Sequence, residues 1–256
     1  MFRPRVIPVL LLQNQGLVKS VKFKNHRYIG EPINAVKLFN DLRADELVFL
    51  DINASNEGRK ISLDFVEKVG DECNMPFAVG GGIRTLNDIK EILNSGAEKV
   101  VINTSAGKNP EFIREAAMEF GGSTIVVCID VQKKKFRKET TYIYSGKKST
   151  GYDPVDFACL MQEKGAGELI IQSIEHDGTM SGYNLELIKR ISDKLTIPVV
   201  ACSGAGALSH LASAYYDANA SALAAGSMFV FHGPRRAVLI NYPDQEQLES
   251  IFRIAK

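Results

Sequence analysis

Short apolar runs alternate along this chain with segments whose apolar positions recur at helical spacing. Arg5 to Leu12 reads as a buried first strand. In the polar stretch Gln13 to Gly30, Lys19, Lys22 and Lys24 interleave with Val18, Val21 and Phe23, which predicts a small hairpin or flap. Glu31-Pro32 opens a helix to Leu42, with the proline in its first turn. Glu46 to Leu50 is a second strand, Asp51 to Arg59 a polar loop, and Ile61 to Cys73 a helix. Pro76 to Val79 is a third strand ending in Gly80-Gly81-Gly82, and Thr85 with Asp88 has capping-box spacing ahead of the next helix. Lys99 to Ile102 and Thr124 to Asp130 are the fourth and fifth strands, with a helix between them that Asn109-Pro110 starts and Phe120 ends.

Beyond Asp130, Gln132 to Tyr144 alternates as a basic hairpin, and its Lys133 to Lys138 run reads as a solvated face rather than a phosphate or nucleic-acid patch. Asp153-Pro154 starts a helix to Lys164, and Glu168 to Ile171 is a sixth strand. Asn184 is the expected N-cap of a helix to Lys194. Ile197 to Ala201 and Ala220 to Ala225 complete the strand set, and Asp244 to Ile254 closes the sequence as a helix. Strands alternating with helices over 256 residues predict either a (β/α)8 barrel or an open doubly wound sheet. Internal matches decide for the single barrel, 1–256. Glu46 to Asp51 matches Glu168 to Ser173, Val79 to Gly82 matches Ser203 to Gly206, and Ala97 to Thr104 matches Ala220 to Ser227. The offsets imply two half-barrels, about 1–122 and 123–256.

Composition narrows the setting. Lysine plus arginine number 31 against 30 acidic residues, a balance that argues against a generic nucleic-acid or membrane-surface binder. Cys73, Cys128, Cys159 and Cys202 lack metal-site spacing, so no metal is expected, and Cys128 and Cys202 read as buried thiols. No apolar run reaches membrane-spanning length and no signal-like segment opens the sequence, so a reducing cytoplasm is expected.

In a barrel of this kind, chemistry belongs to the C-terminal ends of the strands. Those ends supply Leu11, Asp51, Gly81, Gly82, Asn103, Thr104, Asp130, Asp177, Gly178, Thr179, Gly204, Gly206, Gly226 and Ser227. Two glycine-rich turns, one after strand three and one after strand seven, lie about half a chain apart. Each offers backbone N–H groups to an anion, so together they suit a ligand with a phosphate at each end, whereas one turn alone would signify only turn geometry. Asp130 ends an apolar strand, the setting of a general acid or base with a raised pKa or of a loop hydrogen bond. Its counterpart by the internal repeat is Leu11, which handles no proton. At the opposite mouth Arg5, Glu46, Lys99 and Glu168 each begin a strand. Two positive and two negative charges there suit a paired ring across the axis, and a gate would account for its burial.

The stretches Asp45 to Asp51, Val79 to Arg84, Lys99 to Thr104, Tyr144 to Gly151, Gly165 to Leu169 and Asp177 to Thr179 resemble the cyclase (HisF-type) subunit of imidazole glycerol phosphate synthase, over essentially the whole length. The resemblance implies a barrel that receives ammonia from a glutaminase docked on its N-terminal face, as a heterodimer. The ammonia gate would then be Arg5, Glu46, Lys99 and Glu168, and the substrate a bisphosphate at the other face, with no cofactor. It also implies that Lys19 is the family's mobile first-loop lysine. Of the family's two catalytic aspartates, the second falls on Asp130 and the first on Leu11. Cys202-Ser203 replaces the family's Ser-Gly, and Asn184 stands where an aspartate is usual.

Arg3 to Leu12, Gly16 to Asn25 and Ala237 to Pro243 further resemble a side branch linked to acetamidino-sugar formation in surface polysaccharide and glycan pathways, which is paired with its own glutaminase and a separate sugar amidotransferase. The leading expectation is therefore an ammonia-channelling barrel supporting amidination of an N-acetyl sugar. The alternatives are a histidine-pathway cyclase and a non-catalytic phosphosugar-binding scaffold.

Overall fold

A computed structural model describes residues 3–133 and 138–253. Eight parallel strands form a closed cylinder: β1 (Arg5–Gln13), β2 (Leu47–Asp51), β3 (Phe77–Gly80), β4 (Lys99–Ile102), β5 (Ile125–Lys133), β6 (Glu168–Ser173), β7 (Val199–Cys202) and β8 (Ala222–Ala225). Each pairs with its neighbours in the sequence, and β8 closes on β1 through the register Arg5 to Ala222 and Ile7 to Ala224. Eight helices follow the strands in turn: α1 (Pro32–Asp41), α2 (Leu63–Glu72), α3 (Leu86–Asn94), α4 (Glu111–Phe120), α5 (Pro154–Glu163), α6 (Leu185–Ser192), α7 (Leu208–Tyr216) and α8 (Gln245–Phe252). This is a (β/α)8 barrel, and the open-sheet alternative is excluded by the β8–β1 pairing.

Period-two alternation along the strands builds two separate apolar layers. Ile7, Val9, Val48, Ala78, Val101, Val126, Ile170, Val200, Ala222 and Ala224 fill the cylinder. Their sequence neighbours, such as Leu10, Phe49, Val79, Val127 and Leu169, pack outward under the helices. Several of the helices start where a local side chain satisfies a free N–H group. Thr85 and Asp88 make the reciprocal capping box of α3, and Asp244 with Gln247 repeats it at α8. Asp153 caps α5 and Asn184 caps α6, as their sequence positions imply. Pro110 opens α4 without any side-chain cap.

Several segments differ from the sequence expectation. The polar loop after β2 contains a helical turn, Ala54–Glu57, because the Asp51 carboxylate accepts from the N–H groups of Asn53 and Ala54, both at 3.1 Å, and so starts it. A second short helix, Thr104–Lys108, precedes α4. Helix α6 stops at Ser192 rather than Lys194. Most of the basic run 133–138 and the last residue of the expected final helix, Ile254, lie outside the described residues.

Two excursions leave the cylinder at its C-terminal end. Gly16–Val21 and Lys24–Gly30 form a hairpin that pairs antiparallel with the top of β1. Glu139–Ile143 returns along the upper half of β5. At the other end, the segment before α8 reaches back to the first strand: the Tyr242 hydroxyl donates to the Val6 carbonyl at 2.8 Å, and the Arg3 guanidinium joins Asp45 and Gln245 beside it.

Candidate active site at the barrel mouth

The face of each strand that points into the cylinder also decides which side chains reach its two ends. Arg5 has the same parity as Ile7 and Val9, Glu46 as Val48, Lys99 as Val101 and Glu168 as Ile170. All four charges therefore turn inward at the N-terminal floor. Arg5 bridges Glu46 and Glu168, and the Lys99 ammonium bridges the same two carboxylates at 3.1 and 3.0 Å, so the signs alternate around a closed ring. Both glutamates are buried, whereas Arg5 and Lys99 keep partial contact with solvent. Burial opposes the Arg5 charge, yet the charges of Glu168 and Glu46 outweigh it and raise the guanidinium pKa.

The same parity carried upward puts Leu11, Leu50, Asp130, Gln172 and Cys202 at the top of the cylinder, where they line one cavity. The two glycine-rich turns meet there: Gly81 and Gly82 on one side, Gly204, Gly226 and Ser227 on the other. Gly82 adopts φ +65°, and a side chain at that position would collide with the Arg59 carbonyl, so the turn requires glycine. Its counterpart contains a strained residue. Ser203 adopts φ 74°, a left-handed conformation that costs a side-chain-bearing residue about 1–2 kcal/mol.

Lys19, Asp51, Asn103, Thr104, Asp177 and Gly178 also line the cavity, but the side chains of the first five are partly committed elsewhere. Asp51 pairs with Arg59 at 2.5 Å as well as starting its helical turn. The Asn103 amide donates to the Cys128 carbonyl at 3.0 Å, and the Thr104 hydroxyl accepts from Tyr144 N–H. The Ser145 hydroxyl donates to the Ile52 carbonyl at 2.7 Å, which holds the loop after Ile143 across the mouth. Thr179 and Gly206, expected at the rim, are not among the residues that line the cavity. The Thr179 hydroxyl is engaged by the His176 carbonyl and Ser181, and the Gly206 N–H donates to His210 Nδ1.

Lys19 sits in the hairpin strand rather than in an open loop, with its ammonium donating to the Val9 carbonyl over Gly226. Full burial lowers its pKa to about 8, against the opposing charge of Asp177. Asp177 fastens the hairpin down: it accepts from the Ser20 hydroxyl at 2.7 Å and from Phe23 N–H at 3.1 Å, while its carbonyl accepts from Lys22 N–H at 2.9 Å. Burial nevertheless raises the Asp177 pKa, with Ser20, Phe23 and Lys19 pulling the other way.

Asp130 is the carboxylate whose chemistry the mouth changes most. Burial pushes its pKa up to about 7, the Cys128 thiol pulls it down, and the Asp177 charge adds to the rise. Near neutrality both protonation states are populated, as general acid–base work requires. Leu11 stands on β1, across the cylinder from β5, and gives that wall of the cavity an apolar surface. Cys128 and Cys202, which the sequence marks only as buried thiols, are both buried and free, and both also line the cavity. The two-residue spacing of Cys128 and Asp130 signals their shared face, whereas nothing local singles out Gln172.

The closed (β/α)8 barrel thus gathers two facing glycine-rich turns and a carboxylate with a raised pKa at the C-terminal ends of its strands. The chain belongs to the family described as histidine biosynthesis protein, in its HisF-type branch, the family model matching residues 5–234. It is 43% identical over 253 residues to a Leptospira interrogans protein named "Putative imidazole glycerol phosphate synthase subunit HisF", covering 98% of this chain and all of the relative. It is 42% identical over 232 residues to a protein of Alkaliphilus metalliredigens named "Imidazole glycerol phosphate synthase subunit HisF", covering 91% of this chain and 92% of the relative. Among the described residues, no helix is long and apolar enough to cross a membrane.

Proposed function

We propose that this chain is the barrel subunit of a glutamine-dependent synthase of the imidazole glycerol phosphate synthase type. Ammonia from a HisH-type glutaminase on the floor side crosses the ring of Arg5, Glu46, Lys99 and Glu168. It then moves along the apolar interior as an uncharged molecule and reacts at the mouth with a substrate held by a phosphate at each end. The observation that carries this reading is that one inward-facing file of residues runs from the paired floor charges to the cavity between the glycine-rich turns. The interior between these ends is apolar, so a neutral molecule crosses it at far lower cost than ammonium. At the mouth Asp130 gives and takes the proton, Lys19 supplies a buried cation, and the turns at Gly81-Gly82 and at Gly204 with Gly226-Ser227 hold the phosphates.

Leu11 favours a second reading, in which the ammonia leaves the barrel for a partner amidotransferase acting on an N-acetyl sugar of surface polysaccharide. With Leu11 facing the cavity, Asp130 has no carboxylate partner on β1. The names of the relatives favour the cyclase. The two readings separate in one assay. The chain, a HisH-type glutaminase, glutamine and the ribulosyl aminoimidazole-carboxamide bisphosphate are combined, and imidazole glycerol phosphate is measured. Multiple turnovers are expected. Intact glutaminase stimulation without this product would transfer support to the sugar reading, and no stimulation of any glutaminase would remove both.

A further inference from the structure

The acid–base carboxylate of the mouth does not stand alone. Cys128 lies two residues before Asp130 on β5, so both side chains enter the cavity from the same face, and Cys128 Sγ is 3.7 Å from Asp130 Oδ1. Gln172 is the register partner of Asp130 on β6, yet its amide does not turn to the carboxylate. It donates diagonally to Cys128 Sγ at 3.4 Å. A thiol has one proton to give and a sulfur that accepts weakly. With the amide N–H occupying the sulfur, the S–H is left to point at Asp130.

We propose that Cys128 is a positioning residue that holds Asp130 through its thiol proton, and that Gln172 fixes the direction of that proton. The inference deepens the reading of Asp130 as the proton-handling group of this site and rests on it. All three side chains are buried, which limits competition from solvent for the bonds. Burial keeps Cys128 in its thiol form, since it raises that group's pKa well above the usual range. The donated bond favours the carboxylate form of Asp130 and opposes the burial that favours its protonated form. The other titratable groups around the pair are Asp177 beside β6, Cys202 on β7 and Lys19 on the hairpin, with Tyr142 paired to Asp130 across the β5 excursion. Asp177 acts on Asp130 through its charge and burial keeps Cys202 in its thiol form, while the hydrogen bond that lowers the Asp130 pKa comes from Cys128.

The test substitutes the donor and follows the carboxylate directly. Cys128→Ala removes the proton, Cys128→Ser offers a stronger donor in nearly the same place, and Gln172→Met frees the sulfur while keeping the volume. Asp130 is titrated by carbon-detected NMR on aspartate-labelled protein, with Asp130→Asn for assignment. The midpoint is expected to move to higher pH in Cys128→Ala, to lower pH in Cys128→Ser, and upward by less in Gln172→Met. In an activity assay the acid limb follows, with the rate at pH 6.5 falling about threefold to tenfold in Cys128→Ala and recovering in Cys128→Ser. Titrations that coincide in all variants, or that move the same way for Ala and Ser, would reduce Cys128 to packing and overturn the proposal. Because the NMR titration needs no substrate, it stands or falls independently of the synthase reading.

Discussion

The two ends of the cylinder handle buried charge in opposite ways. At the floor, two cations and two carboxylates alternate, and each cation reaches both anions. At the mouth, Lys19 contacts a carbonyl rather than a carboxylate, and Asp130 is met by a thiol. The result is that Asp130 and Lys19 titrate at about 7 and about 8, close to neutrality, while Arg5 is held firmly charged. The difference teaches that burial alone does not create reactivity. It does so where a charge is left without a full counterion, and the same burial gives a robust electrostatic ring where partners are complete.

Asp130→Asn gives the largest effect and would break the comparison if it failed. Turnover is expected to fall about 10²- to 10⁴-fold through loss of the positioned acid–base group. Stability moves the other way. A carboxylate raised from 3.8 to about 7 stabilises the fold fully below pH 4 and progressively less as pH rises to 7. Removing it should therefore gain roughly 2–4 kcal/mol at pH 8 and nothing comparable at pH 4. Urea unfolding at the two pH values measures this, and equal effects at both would mean that Asp130 is not strained.

Glu46→Gln sharpens the contrast from the floor. It leaves Arg5 and Lys99 sharing only Glu168, and the loss expected for breaking a buried pair is about 3 kcal/mol. Affinity for inorganic phosphate, which the proposed function assigns to the mouth, should be unchanged by calorimetry; a parallel loss would show that the two ends are not independent. The smallest effect belongs to Ser203→Gly, which relieves the left-handed φ of 74° and should add about 1 kcal/mol, or about 2–4 °C in Tm. Calorimetric melting checks it, and a drop in Tm would mean that Ser203 contributes a contact worth more than its strain.

The barrel was legible because its signals are local and repeated. Strand runs, the Thr85–Asp88 box and the Asp153 and Asn184 caps each lie within a few residues of one another, and the β4 boundaries agree with the sequence expectation at both ends. The floor charges were legible for a related reason: each stands at the start of a strand, on the inward parity. Much of the mouth was not. Whether Asp51 faces a ligand or starts its own helical turn depends on how the chain folds after it. Gly206 is taken by His210, and Thr179 by His176 and Ser181, in loops whose shape no periodicity records. The Gln172–Cys128–Asp130 chain needs the β5–β6 register, which two separate stretches of sequence do not reveal by themselves.

The bond from the Tyr242 hydroxyl to the Val6 carbonyl, together with the clasp of Arg3 by Asp45 and Gln245, carries a consequence for biosynthesis. Val6 and Tyr242 lie 236 residues apart in the sequence, so the lower rim acquires this fastening only after the whole stretch between them has been made. Until that stretch is complete the lower rim is unfinished, and a protein that reads this end of the molecule cannot meet it in its final form.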